Sequence, residues 1–542
     1  MLIKIKAEIS YILVLLADIY IGWMRSRDHK KRLTESKRAS IDSLTVQFCN
    51  LNLKMMEQVT ATEKNKILMD CFPIPLWVIA NGVLANCLSK RYKADICSYG
   101  ETMRDPLADI FYKSFCCDVH LIVKVPKSSK KRLKHLFIQA IESIKTSDNL
   151  FSWSINGIQI GDEVYETYLR MFSKPTVRVG NIKCQYAIFS ALKYYLFFEE
   201  YFKKNNVAAC VLSHDIYTAT GILAKMAWMQ GVPVYLANGV ELKKTTRPDE
   251  KYSEFIHYRE YFNNLNEAEK LPAITWGRTQ LEKRLGGQVG VNMAYSTKSA
   301  YEKSYMEKQI LPSNRTKVLI ATHCFFDNPR AYGGMLFNDF YEWISYLGEI
   351  SNLTEYDWYI KTHRDFLPGT VEALAELTFT YPRLKLINPE TSWHQLREEG
   401  VSIILTCYGS VGHELPLLGF KVINAGYNPH IAYSFNWHAK SLKEYRSLLF
   451  NLDSMGEIQD LDSIYEFYYV HYKLSKQGGF LFDSFDDMGE YLKNPGVHSN
   501  EIFKRVLAGD KELYSKAKHD INNFLDSGKF SEAELLIMGP AE

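Results

Sequence analysis

At 542 residues the chain exceeds what one hydrophobic core usually organises, and its 46% hydrophobic and 13% aromatic content can fill the cores of two large domains. The formal charge is only +3, with Lys and Arg nearly matched by Asp and Glu, which argues against nucleic acid as a partner and leaves any basic surface local. Ten cysteines without a CxxC pair or a Cys/His zinc spacing exclude a disulfide framework and a structural zinc as expectations, and a reducing cytoplasm fits best.

The first residues differ in kind from the rest. Ile9, Ile12, Leu13, Leu16, Ile19, Tyr20 and Trp23 fall on one helical stripe, followed by the basic run Arg25-Ser-Arg27-Asp-His-Lys-Lys-Arg32. The apolar run is short of the roughly 20 residues of a membrane span, and the basic cluster lies on the wrong side for a signal peptide. Two readings stand: an interfacial helix that holds the protein to an anionic membrane through residues 9–32, or a helix docked by its stripe on the protein's own core.

Beyond this segment of residues 1–35, a first domain over 36–310 alternates strands and helices. Lys66–Asp70 and Ala94–Ser98 read as strands flanking a helix from Trp77 to Tyr92. Gly161-Asp162 opens an aromatic helical run containing Tyr165 and Arg170. Ala208–Leu212 is a strand that runs into the turn Ser213-His214-Asp215-Ile-Tyr217, then a helix over about Thr218–Gln230 and a strand at Val232–Leu236. That turn lies at a strand's carboxyl end, where open α/β sheets bind ligands. Polar segments at Lys243–Glu250, Lys283–Gln288 and Glu302–Arg315 read as loops, the last of them an interdomain linker.

A second domain over 311–455 repeats the alternation more clearly. Lys317–Thr322, Trp358–Lys361, Leu384–Ile387, Val401–Thr406 and Lys421–Ala425 read as parallel strands. Lys361 and His363 stand two apart at a strand end, so both project to one side. His323 and Asp327 follow the first strand, and Ser392 reads as a helix cap. After Thr406 the chain breaks at Tyr-Gly409-Ser410 and restarts as a helix at Val411, with Ser410 as its N-cap. A helix start of this kind offers unpaired N–H groups and the positive end of the helix dipole, a layout that binds phosphate. Residues 456–542 read as a polar, helical tail.

Taken together, Lys361-Thr-His363-Arg364, Ser392-Trp393-His394, Ser410-Val-Gly412-His413-Glu414 and Gly419-Phe-Lys-Val-Ile423, with Ile160-Gly-Asp162 and Ser213-His214-Asp215 in the first half, resemble the motifs of bacterial capsule and surface-polysaccharide transferases related to the Kdo transferases. The resemblance covers roughly residues 60–440. It implies a glycosyltransferase of the two-Rossmann (GT-B) type: an α/β protein of two doubly wound domains facing a central crevice, with an amphipathic amino-terminal helix and a helical carboxyl-terminal tail. It also implies a CMP-activated sugar acid, such as Kdo or a nonulosonate, as donor and a glycan or glycolipid as acceptor, at the cytoplasmic face of the inner membrane. Arg364 stands where the family has Pro after the histidine, and Phe420-Lys421 replaces a Lys-Pro pair.

These residues suggest a chemistry that uses no metal and no cofactor beyond the nucleotide sugar. Lys361, His363, Ser410 and the backbone about Gly409 and Gly412 would stabilise charge growing on the leaving phosphate, Ser392 would support them, and Glu414 would accept from ribose hydroxyls. Asp162, Asp215 or His214 would serve the sugar or the acceptor's proton, with helix capping as the bland alternative for either Asp. Tyr165, Arg170, His323 and Asp327 would contact acceptor or sugar. The same residues would suit a CDP-polyol phosphotransferase of cell-envelope polymer synthesis, or a non-catalytic scaffold in a polysaccharide assembly complex.

Overall fold

The computed structural model describes the chain apart from residues 1, 39–41, 61–64, 73, 292, 294, 295, 297, 303, 304, 365, 477–480, 483–487, 489–494, 532, 533 and 535–542. The chain forms two compact units, one of Met1–Tyr168, Arg178–Glu250 and Lys476–Glu542, the other of Leu169–Val177 and Lys251–Ser475. Each is a Rossmann-like doubly wound α/β body.

In the first unit, β1 (Asn65–Asp70), β2 (Asp95–Gly100) and β3 (Val119–Ile122) lie to one side, and β6 (Asn206–Leu212), β7 (Val234–Ala237) and β8 (Leu242–Thr245) to the other, in the order β3-β2-β1-β6-β7-β8. A small hairpin, β4 (Ser154–Ile155) and β5 (Ile158–Gln159), stands apart. All neighbours in the large sheet are parallel except β7 and β8. The strand order reverses between β1 and β6, which makes the carboxyl ends of those strands the switch point where doubly wound sheets bind ligands. The helix Pro75–Tyr92 covers the sheet, and apart from Trp77 it is buried from Leu76 to Ser89, with Asn81, Asn86 and Ser89 among mostly apolar residues. The carboxyl-terminal helix Pro495–Ser527 belongs to this unit. Phe503 stacks on Phe48 with ring centroids 4.4 Å apart.

The amino-terminal helix, Leu2–Arg38, meets the first unit by the side opposite its stripe. Ala7 and Val14 are fully buried, Tyr11 packs against Phe137 and Phe189, and ion pairs join Asp18 to Lys193 (2.5 Å), Glu8 to Lys134 (2.6 Å) and Arg25 to Glu101. This seam at residues 7, 11, 14, 18 and 25 has the spacing of a helix packed along a narrow edge. The seven stripe residues from Ile9 to Trp23 are 52–61% exposed. Docking of the stripe on the protein's own core is therefore overturned. The helix is also longer than the sequence reading had it: Ile5–Lys31, at mean hydropathy 1.5, is long and apolar enough to cross a membrane by length and composition.

The second unit's sheet is wholly parallel. It comprises β9 (Lys317–Ala321), β10 (Asp357–Lys361), β11 (Leu384–Leu386), β12 (Val401–Thr406), β13 (Lys421–Asn424) and β14 (Trp437–His438), in the order β11-β10-β9-β12-β13-β14. Register pairs Lys361 with Ala321 and Leu405 with Ile320, so the ends of β10, β9 and β12 form one edge, with the switch point between β9 and β12. The helix Ser463–Tyr472 packs on Glu267–Leu285, where Gly277 lets the chains approach: a Cβ there would sit 2.3 Å from the Tyr465 carbonyl oxygen.

Some local readings change. Lys243–Glu250, read as a loop, begins with edge strand β8. The helix expected from Thr218 begins as a π turn, Tyr217–Gly221, with Tyr217 at φ +65°, and becomes α-helical only over Ile222–Met229. Non-glycine residues held in that region and π turns both concentrate at functional sites.

Candidate functional site

The second unit gathers most of the expected donor residues at its switch point. A small cavity of about 70 Å³ is lined by Lys361, Thr362, His363 and Arg364 from the end of β10, by Thr322 after β9, and by Ser410, Val411 and Glu414 after β12, with Arg284, Lys298 and Trp393. Its volume is about that of two liquid waters, the scale of one phosphate group and not of a whole nucleotide. Four permanently or potentially cationic chains besides His363 line it, with Glu414 the one carboxylate among the lining residues, while Glu390 and Glu302 pair with Arg364 and Glu390 with Lys298 at 3.7–3.8 Å.

Lys361 is buried and its ammonium donates to the Pro389 carbonyl (2.6 Å) while lying 5.4 Å over the Trp393 ring. Burial first, and the charge of Arg364 second, push its pKa down to about 7. His363, two residues on, is exposed. Arg364 holds the cavity's walls together: its guanidinium donates to the carbonyls of Glu390 (2.7 Å) and Ser299. The arginine in place of the family's proline thus ties two loops that a proline could not reach.

Three expected roles look different in three dimensions. Ser410 precedes the helix Val411–Glu414 but does not cap it; its hydroxyl donates to the Glu414 carboxylate (3.2 Å). The α-helical segment is only four residues, continuing as a 3₁₀ turn over Leu415–Leu418, so its dipole is small. Glu414 is 1% exposed, and both its oxygens are engaged, Oε1 by Arg284 (2.9 Å) and Oε2 by Tyr301 (2.6 Å) and Ser410. Burial, the largest influence, would raise its pKa, but the charges of Arg284 and His413 and the hydrogen bonds from Tyr301 and Arg284 together hold it below the usual range. Three of its roughly four acceptor sites are thus taken by the protein itself, which leaves little of Glu414 for a ribose. Gly412 is needed for packing, since a Cβ there would lie 2.4 Å from the His430 ring. Gly409 donates its N–H to Thr406 Oγ1 (3.1 Å).

The remaining second-unit residues are structural in their contacts. Ser392 is fully buried and caps Trp393–Glu398 by accepting from the Gln395 N–H (3.2 Å). His323 accepts from the Cys407 N–H (3.2 Å), bonds Thr406 Oγ1 (3.0 Å) and stacks on Phe340, locking β9 to the loop after β12. Burial, then the charge of His363, push its pKa down to about 3. Asp327 is exposed and accepts from the Asn328 N–H (2.9 Å). Arg170 is exposed as well.

At the switch point of the first unit lies a constellation only half visible in sequence. Asp70, the last residue of β1, is buried. Its Oδ1 accepts from the Ser213 N–H (3.0 Å) and its Oδ2 from the Ser213 hydroxyl, and Ser213 Oγ lies 2.7 Å from His214 Nδ1. With the hydroxyl proton directed at Asp70, Ser213 accepts from Nδ1–H, which makes Nε2 the lone-pair nitrogen of His214. Burial raises the Asp70 pKa to about 6 against the bonds from Ser213, which lower it. Phe72 and Tyr217 flank the imidazole edge-on at 5.8 and 5.6 Å.

Asp162 and Asp215 do not join this line. Asp162 lies in the first turn of the helix Gly161–Phe172, paired with Lys225 (2.5 Å), which also reaches Glu163 (3.1 Å). Glu163 is 4% exposed, and burial raises its pKa to about 8 despite Lys225. It packs where a Cβ on Gly221 would fall, 2.2 Å away, so the π turn and this carboxyl are fitted to each other. Asp215 is 5% exposed; Tyr165 is fully buried beside Phe151. The sequence reading missed Asp70, Glu163, Lys225 and Arg284, and named Ser213 in its turn without giving it a role. A charged residue closing an apolar strand, as Asp70 does, was the available signal.

No protein-family model matches the chain, and no curated protein matches it. Among solved structures it is similar to KpsC, a beta Kdo 2,4 transferase of Thermosulfurimonas dismutans, at 16% identity over 49% of this chain and 80% of that one, with a TM-score of 0.30. HepE of Anabaena, in complex with UDP, matches at 9% identity over 79% and 98% of the two chains, TM-score 0.25. The wall teichoic acid polymerase TagF matches at 10% identity over 90% and 99%, TM-score 0.19. Overlaps this loose carry no argument about function; the fold rests on the chain's own two sheets.

Proposed function

We propose that this protein is a metal-independent glycosyltransferase that moves a sugar from a nucleotide donor to a bacterial surface polysaccharide or glycolipid. The observation that carries the reading is the cationic, phosphate-sized cavity at the second unit's switch point, where Lys361, Arg364, Ser410 and Arg284 meet. As the bond from sugar to nucleotide breaks, negative charge grows on the leaving phosphate, and preorganised donors aimed at it lower the barrier. Lys361 is suited to that task because its proton is weakly held until an anion arrives. In the first unit His214, oriented by Ser213 and Asp70, takes the proton of the acceptor hydroxyl, while Asp162, engaged by Lys225, is the less available base. The residues themselves support only some nucleotide sugar; the resemblance of the Lys361-x-His363 and Ser410-x-Gly412-x-Glu414 motifs to those of the Kdo-transferase-related family favours a CMP-activated sugar acid.

In this reading the protein binds an anionic membrane at the cytoplasmic face of the inner membrane, supported by the exposed stripe and basic end of the amino-terminal helix. Because Glu8, Tyr11, Asp18 and Arg25 hold the opposite side to the first unit, the helix lies in the interface plane rather than across the bilayer. Thermal-shift measurements with CMP, CDP, UDP and GDP test the donor assignment, since a bound nucleotide stabilises the fold by mass action. Stabilisation by CMP, lost in Lys361→Ala, is the expected result. Stabilisation by CDP alone supports the polyol-phosphate chemistry instead, and no response to any nucleotide overturns the proposal.

A further inference from the structure

A second cavity lies in the first unit, and apart from Phe72 beside His214 no residue of the proposed reaction lines it. It encloses about 580 Å³, within the range of pockets that bury most of a small organic ligand. Its apolar lining is Phe72 after β1, Val78 of the helix Pro75–Tyr92, Phe111 and the 44% exposed Leu107 of the helix Pro106–Lys113, and Phe503 of the carboxyl-terminal helix. Its mouth is polar and is built in part by Arg25, Asp28 and His29 of the amino-terminal helix, the element whose other face is the exposed apolar stripe. Phe72 also meets the His214 ring edge-on, so the cavity adjoins the Asp70-Ser213-His214 line.

The charge of the mouth selects among amphiphiles. Among its lining residues Asp28, Asp42, Glu101 and Asp105 outnumber Arg25 and Arg104, and Arg104 is itself buried. Arg25 is paired with Glu101 and Arg104 with Asp109, so neither guanidinium is presented to an incoming anion. Hydrogen bonds from Thr45 hold Asp42 below the usual carboxylate range. An anionic headgroup meets repulsion at such a rim, whereas sugar hydroxyls can donate to its carboxylates.

We infer that this cavity holds the apolar chain of an acceptor whose headgroup is an uncharged sugar, drawn from the membrane along the amino-terminal helix and delivered with its hydroxyl beside His214. The inference rests on the transferase reading for its purpose, but not for the binding itself. It is tested with the full-length protein, free of vesicles, titrated calorimetrically with n-alkyl β-glucosides of graded chain length below their micelle-forming concentrations. Each added methylene should tighten binding about three- to fourfold until the cavity is full. The n-alkyl phosphate of equal length should bind at least tenfold more weakly, and free glucose not measurably. Ala108→Trp, which fills the cavity from its wall, should weaken alkyl glucoside binding at least tenfold, and Leu107→Asp, a second route should the first variant fail to fold, should do the same. Binding that ignores chain length, that survives both substitutions in folded protein, or that prefers the alkyl phosphate overturns the inference. Nucleotide stabilisation measured on the same samples separates the two proposals: chain-length-dependent binding in a protein that responds to no nucleotide leaves the cavity standing and removes the transferase.

Discussion

If an anion belongs in the second unit's cavity, its arrival must be written in protons. Lys361 is charged about half the time at pH 7, since its pKa is pushed from 10.5 down to about 7. A shift of that size means that charging the ammonium in the folded protein costs about 5 kcal/mol more than in water. A phosphate placed against it restores the pKa, and the lysine then takes a proton from solvent. The uptake should be about 0.1 proton per nucleotide at pH 6, about 0.5 at pH 7 and about 0.9 at pH 8. Calorimetry of nucleotide-sugar binding in two buffers of different ionisation enthalpy reads that number directly, and the diphosphate or phosphodiester of a nucleotide sugar has no proton of its own to confuse it. The same shift fixes the sign of the pH dependence of stability. The folded pKa lies below the unfolded one, so the cost is fully present below about pH 7 and disappears as pH rises towards 10.5, and Lys361→Met should flatten the rise in stability over that window. Heats identical in both buffers at pH 8, or a Lys361→Met protein that binds nucleotide sugar as tightly as the parent, would refute the assignment of Lys361 to the phosphate.

Other substitutions probe the rest of the molecule. Replacing Ile12, Leu16, Ile19 and Trp23 together with Ser should release the protein from anionic vesicles in a sedimentation assay by at least about 100-fold, since each half-exposed chain contributes on the order of 1 kcal/mol at an interface, while the melting temperature hardly moves. His214→Ala and Asp70→Asn should each lower turnover at least about 100-fold with nucleotide binding intact; a rate within a few-fold of the parent in both would show that the imidazole is not the base. Asp162→Asn breaks the charge pairing with Lys225 and should destabilise the fold, in denaturant titration, more than it slows turnover normalised to folded protein.

The motif-bearing strands were legible because parallel strands buried on both faces are short apolar runs closed by polar turns, as at Val401–Thr406 and Ala208–Leu212. The helices Lys130–Ser143, Ile182–Lys204 and Glu267–Leu285 were not placed, because they carry no ligand-like motif to draw attention to them. Lys361, His363 and Ser410 could be read as neighbours, and they line one cavity, because the Lys-x-His pair lies at a strand end and the serine follows one, where the topology brings them together. What a linear reading could not supply was the long-range partner. Arg284 lies 130 positions before Glu414, and Ser213 lies 143 after Asp70, so neither bond leaves a trace in local pattern. The stripe of the amino-terminal helix shows the converse: a periodic apolar face says that something must cover it, and only the opposite seam, with Asp18 and Arg25 paired to the body, shows that the cover is not this chain's own core.

Glu414 shows how such a missing partner redirects a functional argument. A carboxylate one turn into a phosphate-facing helix invites a ligand role, because repulsion from phosphate leaves ribose as its natural contact. With Arg284 beside it, the same position becomes a buried ion pair whose removal leaves an uncompensated guanidinium 4% exposed. Breaking one side of such a pair costs about 3–5 kcal/mol, while replacing both partners by apolar chains of similar volume is often nearly neutral. Glu414→Gln should therefore lower the denaturation midpoint sharply, and the double replacement Arg284→Met with Glu414→Leu should recover most of that loss. If Glu414 instead binds ribose, the single variant keeps its stability and loses nucleotide affinity. Measuring both quantities on both variants separates the roles, because the ion pair predicts that stability returns in the double variant, whereas a ribose contact, once removed, returns in neither.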